Sequence, residues 1–164
     1  MKIAADACTL ILLAKASVLE KGTEAFKVTM TAEVYEEVLK GKGKMAEDAF
    51  LIERLEKEKK ITVVRSLKKM TEELIKNFEM GKGEASVISL ALEEKGMVIA
   101  TDNRQGRKVA KINNLNLVGS LELVVALFKK GKITSEKALS ALKVLETEGW
   151  FDDYLIEKTK EDIK

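Results

Sequence analysis

Along the chain, short apolar runs of strand length alternate with segments whose apolar residues recur every three or four positions. Lys2–Ala5, Phe26–Met30, Ile61–Val64, Met97–Thr101 and Leu115–Val118 read as strands. Between them the spacing predicts helices over Leu10–Glu20, from Thr31 to Lys40, and over Met45–Lys57, Leu67–Glu79, Glu84–Glu94 and Asn103–Ile112. Gly81-Lys82-Gly83 reads as the stop of the helix that begins at Leu67, and Gly96 as the stop of the next. Beyond Ser120 the pattern is helical throughout, over residues 120–130, 134–147 and 151–162. Strands alternating with helices imply βαβ units, hence an α/β fold. The expectation is a three-layer α/β/α sandwich with a mostly parallel sheet of four or five strands. Residues 1–130 form its main domain, and residues 131–164 a C-terminal helical extension packed on it.

At 164 residues and 46% hydrophobic content, the chain suits one domain with a packed core. The net charge of +2 argues against a sequence-reading DNA-binding domain and leaves room for an enzyme that touches a few phosphates. No apolar run approaches the ~20 residues of a membrane span, and the N-terminus lacks a basic segment followed by a long apolar stretch. With a single cysteine, Cys8, excluding an internal disulfide, the expected location is cytoplasmic.

The absence of histidine changes the picture most. It excludes Ser-His-Asp and Cys-His catalysis and His-ligated zinc, and one cysteine cannot build a thiolate site. A metal, if used, is then a hard cation held by carboxylates. In a parallel α/β sheet, ligands bind at the carboxyl ends of the strands. Two of the six aspartates fall there: Asp6 after the first strand and Asp102 after the strand Met97–Thr101. Each also suits the plain task of capping the following helix. Glu84 opens a helix on the same face as Val87, Ile88, Ala91 and Leu92. A carboxylate in that stripe needs a cation, donors or a proton. Glu33, Glu36 and Glu37 lie beside the apolar face Val34, Tyr35, Val38 and Leu39, and periodicity does not choose between Glu36 and Glu37. Arg104, Arg107 and Lys108 follow Asp102 closely enough to clamp a phosphate, and equally suit a solvated helix face. Cys8 reads as a small buried hydrophobe, and Trp150-Phe151 as the dock of a terminal helix or an anchor for self-association.

Asp6-Ala-Cys-Thr-Leu-Ile-Leu-Leu-Ala-Lys15, Val34-Tyr-Glu-Glu-Val38, Gly81-Lys-Gly-Glu-Ala-Ser86 and Ile99-Ala-Thr-Asp-Asn-Arg104, in this order, resemble the motifs of PIN-domain nucleases. The nearest likeness is to the prokaryotic branch related to VapC-type toxins. The likeness runs from Lys2 to about Lys130, with further similarity around Gly149-Trp150-Phe151. It implies a catalytic, metal-holding quartet of Asp6, Glu37, Glu84 and Asp102, favouring Glu37 because the family's acid lies two after the Tyr and directly before the Val. It further implies Mg2+ or Mn2+ as cofactor and hydrolysis of single-stranded RNA. Implied partners are a second copy in a homodimer and a small antitoxin-like protein. Cys8 stands where the family often has Asn or Ser, and Asn103 and Arg104 where many members carry a second aspartate. Two other readings are a catalytically silent RNA- or protein-binding module and a haloacid-dehalogenase-like phosphatase. The latter expects an aspartate two residues after Asp6, where Cys8 stands.

Overall fold

In a computed structural model describing residues 1–164, the chain folds as an α/β sandwich. Strand β1 (Lys2–Ala5) is followed by α1 (Ala7–Lys15) and α2 (Leu19–Ala25), then β2 (Lys27–Thr31), α3 (Ala32–Lys42) and α4 (Glu47–Lys57). Next come β3 (Ile61–Val64), α5 (Lys68–Phe78), α6 (Lys82–Glu93), β4 (Val98–Ala100), α7 (Arg104–Ile112) and β5 (Leu117–Val118). The chain closes with α8 (Ser120–Lys129), α9 (Ser135–Glu148) and α10 (Asp153–Glu161). The five strands lie in the order β3-β2-β1-β4-β5 and every neighbouring pair is parallel. Ile3 pairs with Val28 on one side and Val98 on the other, and Ile99 with Leu117.

Consecutive burial of Ile3, Ala4 and Ala5 explains why β1 reads as an unbroken apolar run: side chains alternate across a sheet covered on both faces. Ile3 and Ala5 meet Leu10, Leu13, Leu19 and Leu127 from α1, α2 and α8. Helix α6, apolar through Val87, Ile88, Leu90 and Ala91, packs along β1, β2 and β4 with α3, α5 and α7 beside it. Helices α9 and α10 close over α8 through Ala138, Leu142, Leu145 and Ile156. No helix is long and apolar enough to cross a membrane.

The helix expected over Leu10–Glu20 is in fact two. α1 ends where the Ser17 amide donates to the Ala14 carbonyl and the Val18 amide to Leu13, with Ser17 left-handed at φ 56°. This terminating loop usually carries glycine at its left-handed position; with serine there, the sequence gives no stop signal. Gly81-Lys82-Gly83 begins a helix instead of ending one. α5 stops at Phe78 with Glu79 left-handed, while Gly81 caps the start of α6 and Gly83 lies in its first turn. Strand order also places the one crevice at the carboxyl edge of the sheet. The chain moves outward from β1 to β2 and β3, then returns to β4 on the other side of β1. The direction of winding therefore reverses between β1 and β4, and the crevice opens at their carboxyl ends.

Candidate active site at the reversal of the sheet

Asp6 and Asp102 stand on the two strands that flank the crevice. The Asp6 backbone is stitched to β4 by its amide, which donates to the Ala100 carbonyl at 3.1 Å. Its side chain caps α1, Oδ1 accepting from the Thr9 amide at 2.8 Å, while Oδ2 accepts a short 2.5 Å bond from the Thr101 hydroxyl. Capping and site-building thus coincide at Asp6. At Asp102 they separate. Asn103 caps α7, its Oδ1 accepting from the Gly106 amide. Asp102 Oδ1 accepts from the Ser120 amide at the head of α8 (2.9 Å), and Oδ2 from the Thr9 hydroxyl (3.3 Å). Thr9 therefore ties the two aspartates together.

The glutamates arrive from the other side. Thr31, the last residue of β2, caps α3 by accepting from the Val34 amide. Its hydroxyl also bonds to that of Ser86 at 2.6 Å, and Ser86 Oγ donates to the Gly83 carbonyl. This chain of bonds fixes the first turn of α6, which bears Glu84, against the start of α3, from which Glu37 projects further along. The Glu37 carboxylate lies directly on Gly83, where a Cβ would come within 2.6 Å of Oε2. Glu36 and Glu37 are both exposed, but Glu36 takes no part in these contacts. Gly119 provides the same clearance for Asp102, a Cβ there standing 2.6 Å from Oδ1.

The four acids share one electrostatic environment. Burial raises the Asp6 carboxyl above its ordinary range, with Glu37 adding to the rise against the bonds from Thr101 and Thr9. Burial likewise raises Asp102, helped by Asp6 and Glu122 and opposed by hydrogen bonding from Ser120. Glu84 is raised by desolvation, then by Asp6 and Glu37. None of the four forms an ion pair: the nearest pair is that of Arg107 with Glu122 at 3.5 Å. As the side chains stand, no three acids close around a common point tightly enough to ligate an ion. The arrangement is a patch of uncompensated negative charge whose donors are all carboxylate oxygens, a set that fits a hard divalent cation.

Cys8 departs from the burial expected of it. It is exposed, because Cys8, Ile11 and Lys15 form the open stripe of an otherwise buried α1. Its thiol is pushed up to about 12 by desolvation and then by Asp6, Asp102, Glu37 and Glu84, so it is protonated and not a nucleophile at neutral pH. Arg107 is already engaged, Nη1 donating to the Thr101 carbonyl at 3.0 Å, so it braces the turn that carries Asp102. Arg104 and Lys108 are exposed. Thr9, Thr101, Ser86, Ser120, Gly83 and Gly119 have no part in the sequence-based site. Thr9, Gly83, Ser86 and Thr101 stand within the four motifs that resemble the family's, beside the acids, without a chemistry of their own to single them out.

A doubly wound parallel sheet with acidic residues at its reversal defines an α/β protein whose candidate site lies at the carboxyl ends of the strands. The chain belongs to the PIN-domain family, which it matches over residues 2–163. PIN domains are generally nucleases, and they usually use divalent metal ions. No curated protein and no solved structure matches the chain.

This geometry has two measurable consequences. Gly83→Ala displaces only the flexible end of Glu37, so its melting temperature stays within about 2 °C of wild type while divalent-metal affinity falls; an unchanged affinity contradicts the placement of Glu37. The second concerns pH. Carboxyls raised in the fold bind protons more tightly than in the unfolded chain, so metal-free stability falls as pH climbs from the usual carboxylate range, about 4, through their raised range. Asp102→Asn removes its share of that loss. Without metal at pH 7 the variant melts above wild type, and the advantage vanishes as pH falls below the usual carboxylate range of about 4, where the wild-type carboxyl is protonated in both states. Melting curves across pH in chelator check both the sign and the window.

Proposed function

We propose that the protein is a Mg2+- or Mn2+-dependent endoribonuclease that hydrolyses phosphodiester bonds of single-stranded RNA. One observation carries the reading: four carboxylates from separate elements lie near one another at the carboxyl edge of a PIN-domain sheet, close enough that neighbouring charges raise the pKa values of Asp6, Glu84 and Asp102, without a lysine or arginine paired to any of them. In this reading Asp6 and Asp102 hold the ion directly, while Glu37 and Glu84 complete its surroundings directly or through water. Such an ion supplies charge neutralisation at the phosphoryl group and acidity for the attacking water. The chain's own groups do the rest. Thr9 and Thr101 hold the two aspartates in place through hydrogen bonds. Glu84, half-buried at the head of α6, is placed to accept a proton from water in the crevice. Arg104 and Lys108, free of ion pairs, receive a phosphate beside it.

The likeness of the four motifs to VapC-type proteins extends the proposal to the toxin of a toxin–antitoxin pair. That toxin acts as a homodimer and is silenced by a small antitoxin-like protein over the acids. Growth arrest on expression, relieved by Asp102→Asn, and a dimer's mass in sedimentation are the marks of that extension. A catalytically silent RNA- or protein-binding module is the rival, favoured by the acids standing apart rather than in a closed shell.

Cleavage of labelled single-stranded RNA separates the two. Wild type with Mn2+ or Mg2+ cleaves, chelator stops it, and Asp102→Asn abolishes it without altering the circular dichroism spectrum. Activity that survives in the variant contradicts the assignment of the acids. Silence across several RNAs and both metals selects the binding module.

A further inference from the structure

A cavity of about 660 Å³ is lined by residues of α7 and α10 together with Asp102. That volume suits a ligand of nucleotide size. Its two walls differ in chemistry. On α7, Arg104, Lys108 and Lys111 fall at positions i, i+4 and i+7, a row of cations about 10 Å long on one helix face. Among the lysines and arginines lining the cavity, only Arg107 is ion-paired, so this row is free to meet an anion. Across from it stand Trp150 and, one turn into α10, Lys158.

Trp150 is the chain's only tryptophan, and it is fully exposed at 103%. The expected helix dock does not describe it: Phe151 takes that part, half-buried against the core. Phe151 packs so closely on Gly149 that a Cβ there would overlap its ring, and this holds the Gly149–Trp150 turn in place with the indole outward. The exposed indole lines the same cavity as the basic row, so a flat ring can stack on it while its charged groups reach the cations. Asp152, Asp162 and Glu122 also line the cavity, the last already paired with Arg107. A purely anionic small ligand is therefore poorly matched. A ligand offering a flat apolar face together with spaced negative charges is well matched.

We propose that this cleft is the binding track for single-stranded nucleic acid, in which a base stacks on Trp150 while flanking phosphates lie on Arg104, Lys108 and Lys111 beside Asp102. Stacking on an exposed aromatic next to a basic row is sequence-tolerant, because every base has a π-face. The inference rests on the nuclease reading for its direction and adds to it a substrate-positioning residue on the C-terminal helices.

The experiment uses the full chain in chelator with an adenylate octamer of single-stranded RNA as probe, followed both by indole fluorescence and by anisotropy of labelled RNA. Saturable quenching of Trp150 is expected, weakening with salt. Trp150→Ala lowers affinity roughly tenfold or more and Trp150→Phe retains most of it; both variants keep the wild-type melting temperature, since the indole is fully exposed. RNA binding seen by anisotropy with silent fluorescence, or unchanged affinity in Trp150→Ala, overturns the track and leaves the nuclease reading intact. Quenching and binding without cleavage in Mn2+ or Mg2+ supports the track and overturns the nuclease reading. No binding in either readout overturns the track, and the metal-supported cleavage assay then judges the nuclease reading separately. A sedimentation change caused by Trp150→Ala without RNA shows that a second copy covers the indole, and overturns the track.

Discussion

Everything at the carboxyl edge of the sheet answers to one constraint: carboxylates crowded together with no cation between them. Each ionised acid raises the cost of ionising the next, and burial raises it again. A fold tolerates this only if the groups are held from outside the cluster. Here the holding is done by neutral donors. Backbone amides of Thr9 and Ser120 and hydroxyls of Thr9 and Thr101 all donate to the two aspartates, fixing their positions without neutralising their charge. A lysine in the same place would stabilise the fold and extinguish the site's attraction for a divalent ion.

The scaffold around that constraint falls into two halves joined at the reversal of the sheet. One half, from β1, β4 and the head of α8, carries Asp6 and Asp102 as a unit bridged by Thr9. The other, from β2, α3 and α6, carries Glu37 and Glu84 and is joined by the Thr31–Ser86–Gly83 bonds. Glycine is deployed at close approaches to carboxylates, at Gly83 and Gly119. Of the left-handed positions, Gly96 and Gly131 use it, while Ser17, Met45, Lys59, Glu79 and Asn114 do without it and accept strain of about 1 kcal/mol each.

That deployment also decides how much of the structure is legible in the sequence. The parallel sheet is legible because strands covered on both faces are short continuous apolar runs, and its helices because their apolar stripes recur at the right period. The break at Ser17 is not, since a serine carries no stop signal. Gly81-Lys82-Gly83 looks like an ending because glycine usually ends helices, whereas its task is to begin one and to clear space for Glu37. Of the site, the acids stand out by scarcity and position. Periodicity leaves Glu36 and Glu37 equivalent; the family motif favours Glu37, and in the structure its contact with Gly83 and its effect on Asp6 and Glu84 set it apart. Thr9, Ser86 and Ser120 are invisible because common hydroxyl residues have no spacing of their own. Cys8 and Trp150 mislead for a shared reason: apolar type suggests burial, and both face open space beside the crevice.

The claim at the centre of this account is that the acids form one site for a hard divalent cation. Titration calorimetry with Mn2+ tests it most directly, comparing wild type with Asp6→Asn, which keeps an acceptor for the Thr9 amide. Saturable binding in wild type that the substitution removes is the expected result. Equal binding by both proteins, or none by wild type, contradicts the account.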